Sequence, residues 1–237
     1  MVMGQEIWQN FIQESVFFGV LVSFGAYELC ALIHRKWNYV FLNPLLWSIV
    51  LVIVFLLATG IDYEVYEEGA QYISYFLTPA TVALAVPLYE QLEILKKNWK
   101  AVLAGILSGA LTSALCVLIL SILFGLNHEM YVTLLPKSIT TAIGMGLSEE
   151  LGGIVSITVP VIVVTGIFGN MIAESVCKLF RITEPVAQGV AIGTSSHVAG
   201  TAKAMEIGRV QGAMSSLSIA VSGLITVVIA SLFSMLY

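Results

Sequence analysis

The stretch GTSSHVAGTAKA, residues 193–204, places several hydroxyl groups, an imidazole and an ammonium between two long apolar runs. Histidine titrates near neutral pH and can carry a proton, and a lysine can balance the charge of a carboxylate. If the stretch is helical, His197 and Thr201 lie on one face of the helix, and Ser196 and Lys203 lie close to that face. Such groups are costly in hydrocarbon, so at membrane depth they indicate a functional site facing the protein interior. A polar loop outside the membrane is the alternative.

A second polar cluster lies in LLPKSITTAIGMGLSEELGG, residues 134–153, directly after Pro136. A proline in the first turn of a helix leaves the next backbone N–H groups free to point at an anion. With an ammonium and several hydroxyls beside them, these groups predict a seat for a carboxylate. The alternative is a lysine that only extends to the lipid headgroups. The candidate side chains are Lys137, Ser138, Thr140 and Thr141.

The third polar element is FLTPATVALAVP, residues 76–87, which contains Pro79 and Pro87. Each proline lacks an N–H and disturbs the helix around the preceding turn. In lipid the freed carbonyl groups need partners, so such breaks occur beside protein or a water-filled cavity. Thr78 and Thr81 are the nearest hydroxyls, and they either bind a ligand or hydrogen-bond to their own helix.

The composition predicts an all-α, polytopic membrane protein. The chain is 58% apolar and 11% charged, whereas a soluble domain is about 45–50% apolar and about 25% charged. A net charge of −5 gives no basic surface for nucleic acid. The three cysteines lack zinc-ligand spacing. We expect no metal, no other cofactor, no catalytic residue and no enzymatic activity. Stretches long enough to span the bilayer are residues 15–33, 44–61, 72–95, 101–125, 152–175, 185–206 and 211–236.

Lysine and arginine residues in short loops predict the side of the membrane on which each loop lies. HRK at 34–36, KKNWK at 96–100 and the pair Lys178 and Arg181 favour the inner side, whereas the acidic loop DYEVYEEGAQ favours the outer side. This arrangement requires residues 131–148 to enter the membrane and leave it on the same side, because a full crossing would move Lys178 and Arg181 outside. The pattern therefore favours about seven spans and one re-entrant element.

Two segments of the chain are similar to each other. TPATVALAVPLYEQLEILKKNWK precedes a span rich in small residues, and TEPVAQGVAIGTSSHVAGTAKAMEIGRVQ precedes another. With seven spans the two copies run in opposite directions, as in transporters built from inverted repeats with broken helices. Chance similarity between apolar segments is the alternative. We predict one transmembrane domain over residues 1–237, with repeats at 44–125 and 152–237.

Four motifs in order resemble the LrgB family: TPATVALAVPLYEQ, LKKNWK, LLPKSITTAIGMGLSEELGG and GTSSHVAGTAKAMEIGRVQGAMSSL. TGIFG at 165–169 extends the resemblance, which is most specific over residues 72–225. Family members often have a proline after the paired threonines, where this chain has Ala142. The N-terminal third resembles the family only in its general hydrophobic pattern.

The resemblance implies two kinds of function. Bacterial members are described as antiholin- or holin-like modulators of murein hydrolase activity and autolysis, commonly paired with a smaller LrgA- or CidA-type membrane protein. Members are also implicated in the transport of pyruvate, glycolate or glycerate. The polar residues favour a secondary transporter for small monocarboxylates, with or without a coupled proton. A cation/proton antiporter ranks last, because the sequence offers no carboxylate at mid-membrane.

We expect a multi-pass protein of the inner (plasma) membrane. Its expected partners are the lipid bilayer, a small organic acid, further copies of itself and a smaller LrgA- or CidA-type protein, and no nucleic acid. The predicted substrate-binding residues are Thr78, Thr81, Lys137, Ser138, Thr140, Thr141, Ser195, Ser196, His197, Thr201 and Lys203.

Overall fold

The computed structural model describes residues 17–37, 42–83 and 85–237, and within these ranges the secondary structure is helical, without a strand. The all-α prediction is therefore confirmed. The chain divides into two compact units, Met1–Ala83 and Leu84–Tyr237, which we call the N-terminal and C-terminal units. Four of the described helices are long and apolar enough to cross a membrane, which supports the prediction of a polytopic membrane protein.

The N-terminal unit contains α1 (Phe18–Trp37), α2 (Pro44–Thr59), α3 (Tyr63–Ser74) and α4 (Leu77–Ala83). Asn43 begins α2, because its Oδ1 accepts hydrogen bonds from the backbone N–H groups of Leu45 and Leu46 at 2.9 and 3.2 Å. Gly60 ends that helix in the left-handed region, at φ 66°. Helix α1 packs against α3, where Ser23 Oγ hydrogen-bonds to Tyr66 Oη at 2.7 Å.

The C-terminal unit is built around three long helices. It contains α5 (Ala85–Glu90), α6 (Leu92–Phe124), α7 (His128–Leu134), α8 (Thr141–Glu150), α9 (Val155–Leu179), α10 (Pro185–Ile207), α11 (Arg209–Phe233) and a final 3-10 turn, Ser234–Leu236. Helices α6, α9 and α11 have the length and apolarity of membrane spans. The helices between them are too short, or too strongly bent, to cross a bilayer by themselves.

Helices α7 and α8 form a helical hairpin, which we call hairpin 1 (residues 128–150). Thr133 in its first limb and Ser148 in its second limb both contact the start of α9. Thr133 Oγ1 accepts the Ile154 N–H at 2.8 Å, and Ser148 Oγ hydrogen-bonds to Thr158 Oγ1 at 2.7 Å. Both limbs thus lie beside the start of α9, as the re-entrant element predicted at 131–148 requires, and its place in the membrane stays a prediction.

Helix α10 is also a hairpin, which we call hairpin 2 (residues 185–207). At His197 the backbone leaves the helical region, with φ 41° and ψ −133°. After this bend the chain reverses, because a Cβ added at Gly200 would lie 3.1 Å from the carbonyl oxygen of Ile192, a residue two turns earlier. Ile192 and Ala204 accordingly pack in one core cluster with Ala173 of α9. The predicted span at 185–206 is therefore wrong: the sharp bend makes it a second re-entrant element.

The two hairpins enter from opposite ends of the C-terminal unit. Hairpin 1 lies at the end that we call the outer end, where Tyr237 Oη donates to the Leu126 carbonyl at 2.5 Å. Hairpin 2 begins and finishes at the inner end, where the start of α11 follows it. In this unit every lysine and arginine other than Lys137 belongs to segments at the inner end, the end that the positive-inside rule predicts on the cytoplasmic side. These residues are Lys96, Lys97, Lys100, Lys178, Arg181, Lys203 and Arg209.

Two further expectations need correction. Residues 72–95 do not form one span, because α3, α4, α5 and the start of α6 divide this stretch into separate helices. Helices α6 and α11 are parallel: Val102 packs with Met214 near their starts, and Val117 packs with Ala230 near their ends. The last helices of the proposed repeats 44–125 and 152–237 therefore do not run in opposite directions, because hairpin 2 returns the chain to its side of entry. The repeat itself, and a single domain over 1–237, stay predictions.

Candidate functional site

The two hairpins approach each other beside the first third of α9, at Ile162. His197 at the tip of hairpin 2 directs Nε2 at the Ile162 carbonyl oxygen, 2.9 Å away. On the other side, a Cβ added at Gly144 of hairpin 1 would overlap Ile162 Cδ1. Gly166 and Gly169, one and two turns further along α9, leave room for the His197 ring and for Ser196. Ile162 thus contacts both hairpins, and a shared polar site between them stays a prediction.

Lys137 lies at the tip of hairpin 1 and carries its charge into this region. Its Nζ donates to Ser138 Oγ at 3.0 Å, and Ser138 Oγ hydrogen-bonds to Ser113 Oγ of α6 at 3.1 Å. Within the described ranges no carboxylate lies within ion-pair distance of this ammonium. A charge in such surroundings is stabilised by hydrogen bonds and by counter-ions, so the geometry suits an incoming anion.

Two cavities flank the limb of hairpin 2 that leads to its tip. The larger, about 850 Å³, lies towards α6 and is lined by Ser113, Ser138 and Thr194 among others. The smaller, about 510 Å³, lies towards α9 and has a more apolar wall that includes Phe168. Both cavities are lined by Lys137, Ile182, Ala191 and Ser195. The ammonium and the Ser195 hydroxyl therefore stand where the two cavities adjoin.

Both cavities extend from the hairpin tips towards the inner end. The larger one reaches Asn98 and Glu184, and the smaller one reaches Cys177, close to the end of α9. The outer half is closed by a packed cluster in which Tyr131, Val132 and Ile139 of hairpin 1 are almost fully buried. The cavities thus extend towards the inner end, whereas packed side chains fill the outer end of this unit.

The tip of hairpin 2 carries three of the predicted residues. Ser195 Oγ and Ser196 Oγ lie 3.0 Å apart, and Ser195 is the exposed member of the pair. The His197 ring is buried, with 6% of the residue exposed. Because a carbonyl oxygen only accepts, Nε2 must donate to Ile162, which leaves Nδ1 as the nitrogen that can take up a proton. The structure thus brings Ser195 and Ser196 to the cavities and places His197 behind them.

Thr201 and Lys203 do not line either cavity, contrary to the sequence prediction. Thr201 is fully buried on the returning limb and hydrogen-bonds to Ser215 Oγ of α11 at 2.6 Å. Lys203 forms ion pairs with Glu174 at 2.9 Å and Glu206 at 3.0 Å near the inner end. The helical-face argument failed here because the chain reverses at His197, which separates these residues from Ser195 and Ser196.

The predicted anion site at the start of a helix after Pro136 is also wrong. Pro136 lies in the turn between α7 and α8, and α8 begins only at Thr141. The backbone N–H groups of Lys137 and Ile139 are already used in the turn, at 3.2 and 3.3 Å from their carbonyl acceptors. Thr140 and Thr141 are half-buried and line neither cavity, so in this conformation the contribution of hairpin 1 comes from side chains.

Thr78 and Thr81 lie in α4, and their side chains are outside the described part of the structure. The described site contains instead a set of α6 residues that the sequence analysis missed. These residues line the larger cavity: Ser108, Thr112, Ser113 and Cys116. Their signal is the run GILSGALTSALC, in which small and hydroxyl residues recur every three or four positions along one helical face.

The chain is similar to known proteins over most of its length. The sequence pattern described as the LrgB-like family matches residues 23–236. Over 219 residues the chain is 38% identical to proteins named "Antiholin-like protein LrgB" from Bacillus cereus (strain B4264) and Bacillus anthracis (strain CDC 684 / NRRL 3495), which is 92% of this chain and 95% of each relative. No solved structure matches the chain with significance.

Proposed function

The chain belongs to the LrgB-like family of membrane proteins, and on this premise we propose that its two hairpins form a carrier for small monocarboxylates. The observation that carries the proposal is the unpaired Lys137 ammonium, which lines both cavities at the meeting of the hairpin tips. Carriers commonly bind their substrate near the bilayer midplane, at helices that are interrupted there.

The charge of the site supports a ligand with one negative charge. Lys137 is the single lysine or arginine lining the two cavities, and Lys203 is already paired with two glutamates at the inner end. A monocarboxylate balances one ammonium, whereas a dianion leaves a second charge without a partner in surroundings of low dielectric constant. The hydroxyls of Ser113 and Ser195 are available to the carboxylate oxygens, whereas Ser138 Oγ accepts from Lys137 and hydrogen-bonds to Ser113 Oγ.

The opposed hairpins support alternating access. The cavities extend towards the inner end, while hairpin 1 and its neighbours pack closely at the outer end. A movement that separates hairpin 1 from α6 and α11, while hairpin 2 closes the inner side, would expose the same ammonium to the other compartment. We further propose that the protein lies in the inner membrane and that His197 carries a coupled proton.

Uptake of labelled pyruvate, glycolate and glycerate into proteoliposomes tests the proposal. We expect saturable uptake by the native chain, a loss of at least about tenfold in Lys137→Ala, since a charge-assisted contact contributes about 1.5–3 kcal/mol, and uptake near the native level in Lys178→Ala. Lys178 is the matched control, because its side chain is largely exposed at the inner end. Absence of uptake by the native chain, or equal uptake by both variants, contradicts the proposal.

The names of the relatives favour a second candidate, an antiholin-like protein that modulates murein hydrolases and autolysis. In this case the chain would act through assembly with copies of itself or with a smaller LrgA- or CidA-type protein, and the cavity residues would be dispensable. Autolysis assays in cells separate the candidates. Control of lysis that persists in Lys137→Ala, without acid uptake in proteoliposomes, supports the antiholin-like function and contradicts the carrier.

A further inference from the structure

An ion pair attaches the returning limb of hairpin 2 to α9 near the inner end. Lys203 Nζ lies 2.9 Å from Glu174 Oε1, and among the ion pairs of the described residues this is the one that joins two different helices. Closer to the tip, Asn170 Nδ2 donates to the Ala199 carbonyl at 2.7 Å. The inner part of the returning limb is therefore held on α9 chiefly by a contact between opposite charges.

This ion pair stands beside a third cavity of about 370 Å³ at the inner end. Glu174 lines the third cavity together with Lys178, and Lys178 borders the surface because its side chain is 78% exposed. The third cavity shares two lining residues, Cys177 and Ile182, with the smaller cavity that leads to Lys137. We call these two shared residues the neck, because the two cavities adjoin there.

The surroundings of the ion pair allow it to open at little cost. The side chains of Lys203 and Glu174 are 27% and 42% exposed, so both charges stay in contact with water when they separate. Each also has a second partner on its own helix. Lys178 lies 3.4 Å from Glu174, and Glu206 lies 3.0 Å from Lys203. Neither charge is therefore left alone when the contact between the two helices breaks.

We propose that the Glu174–Lys203 ion pair is a latch that regulates access from the inner end to the smaller cavity. The inference rests on the proposed function, because the smaller cavity leads to the ammonium that would bind the acid. Thr201 of the same limb hydrogen-bonds to Ser215 of α11 at 2.6 Å. Opening the latch therefore moves hairpin 2 with α11 away from α9, and it widens the neck.

Cys177 is a native reporter for this movement, because it lies in the neck and is only 7% exposed. In a chain with Cys30 and Cys116 replaced by alanine, the experiment measures the rate at which iodoacetamide, a neutral reagent, alkylates Cys177 in lipid nanodiscs. We expect Glu174→Gln and Lys203→Gln each to raise this rate about two- to fivefold, the factor that corresponds to one partly exposed ion pair. The double replacement should react no faster than either single one, because both remove the same contact.

The two single variants also separate opening from a direct effect of charge on the thiol. One loses a negative charge and the other a positive charge, so a direct effect on the thiolate would have opposite signs, whereas opening raises both rates. Glu206→Gln is the matched control. It removes the other ion pair of Lys203, which lies within hairpin 2, and it should keep the native rate.

A second reporter excludes a general loosening of the fold. Cys116 lines the larger cavity on α6 and is already exposed. In a chain that keeps this cysteine alone, both single variants should leave its alkylation rate unchanged.

Three results overturn the latch: native Cys177 rates in both single variants, rates that change in opposite directions, or an equal rise at Cys116. Failure of native uptake in proteoliposomes, with the Cys177 rates as expected, overturns the proposed carrier alone. The ion pair would then still control access to the smaller cavity.

Discussion

At the scale of single residues, Lys137 is the one cation of the C-terminal unit that lies away from the inner end. Its sequence context, a lysine after a proline between apolar runs, was enough to mark it as a candidate. The sequence could not reveal that Ser138, which accepts from Lys137, also hydrogen-bonds to Ser113 of α6, because residues 113 and 138 become neighbours only when hairpin 1 packs against that helix.

His197 adopts a backbone conformation that suits glycine better than any residue with a side chain. Its φ of 41° costs about 1–3 kcal/mol, and such strain persists where the surroundings hold it. The hydrogen bond between the His197 ring and the Ile162 carbonyl oxygen is one such restraint. A strained, buried histidine at the tip of a re-entrant element is therefore a candidate for a role beyond packing.

The replacement His197→Gly separates the backbone strain at this position from a role of the imidazole in proton transfer. We expect its thermal stability in detergent to stay within about 1 kcal/mol of the native value, because relief of backbone strain offsets a lost hydrogen bond of about 0.5–1.5 kcal/mol. His197→Val should unfold at a clearly lower temperature, since a β-branched residue strongly disfavours positive φ. If His197→Gly also transports acid at the native rate and with native pH dependence, the histidine carries no proton.

At the scale of elements, the sequence predicted hairpin 1 but not hairpin 2. Pro136 and the positions of lysine and arginine indicated a re-entrant segment at 131–148. Residues 185–206 contain no internal proline and have the length of a span, so the pattern favoured one continuous helix. The bend at His197 depends instead on tertiary contacts with α9 and α11, and no local rule encodes those contacts.

Small residues allow hairpin 2 to pack closely on α11. A Cβ added at Gly193 would overlap the Ser215 carbonyl oxygen, whereas one at Gly146 of α8 would meet nothing within 4 Å. We expect Gly193→Ala to lower the free energy of unfolding by about 1–3 kcal/mol through overpacking. Gly146→Ala is the matched control and should gain up to about 1 kcal/mol from its higher helix propensity.

Thermal unfolding of the two glycine variants in the same detergent gives the comparison. Equal melting temperatures would show that the limb of hairpin 2 before His197 does not pack against α11 as described. A loss of acid uptake in Gly193→Ala that exceeds its loss of folded protein would further indicate that this contact moves during transport.

At the scale of the whole molecule, the positions of charge and the path of the chain agree. The C-terminal unit contains three helices long and apolar enough to cross a membrane, with a hairpin between each successive pair, and the chain after α11 contacts Leu126 at the outer end. Net composition and the positive-inside rule predicted a membrane protein with its cationic loops inside. The number of crossings could not be predicted, because a bent and a straight apolar helix have the same composition.

Cysteine labelling tests this topology. In a chain with Cys30, Cys116 and Cys177 replaced by alanine, Met235→Cys should react with a membrane-impermeant thiol reagent added to intact cells, since Met235 is 83% exposed at the outer end. Lys97→Cys should react only after the cells are permeabilised. Protection of both sites in intact cells would show that residues 185–206 cross the membrane completely, and it would contradict the hairpin topology.

The seal between the hairpin tips and the outer surface has an electrical consequence. Aqueous solution in the cavities would bring the potential of the inner compartment up to Lys137, so the membrane voltage would fall mainly across the packed outer half around Tyr131. A monoanion leaving its seat outward would then cross most of that voltage in a short step, which changes its energy by about 2.3 kcal/mol per 100 mV. In the proposed carrier, a thin dry layer would thus make the direction of flux responsive to the energised state of the cell.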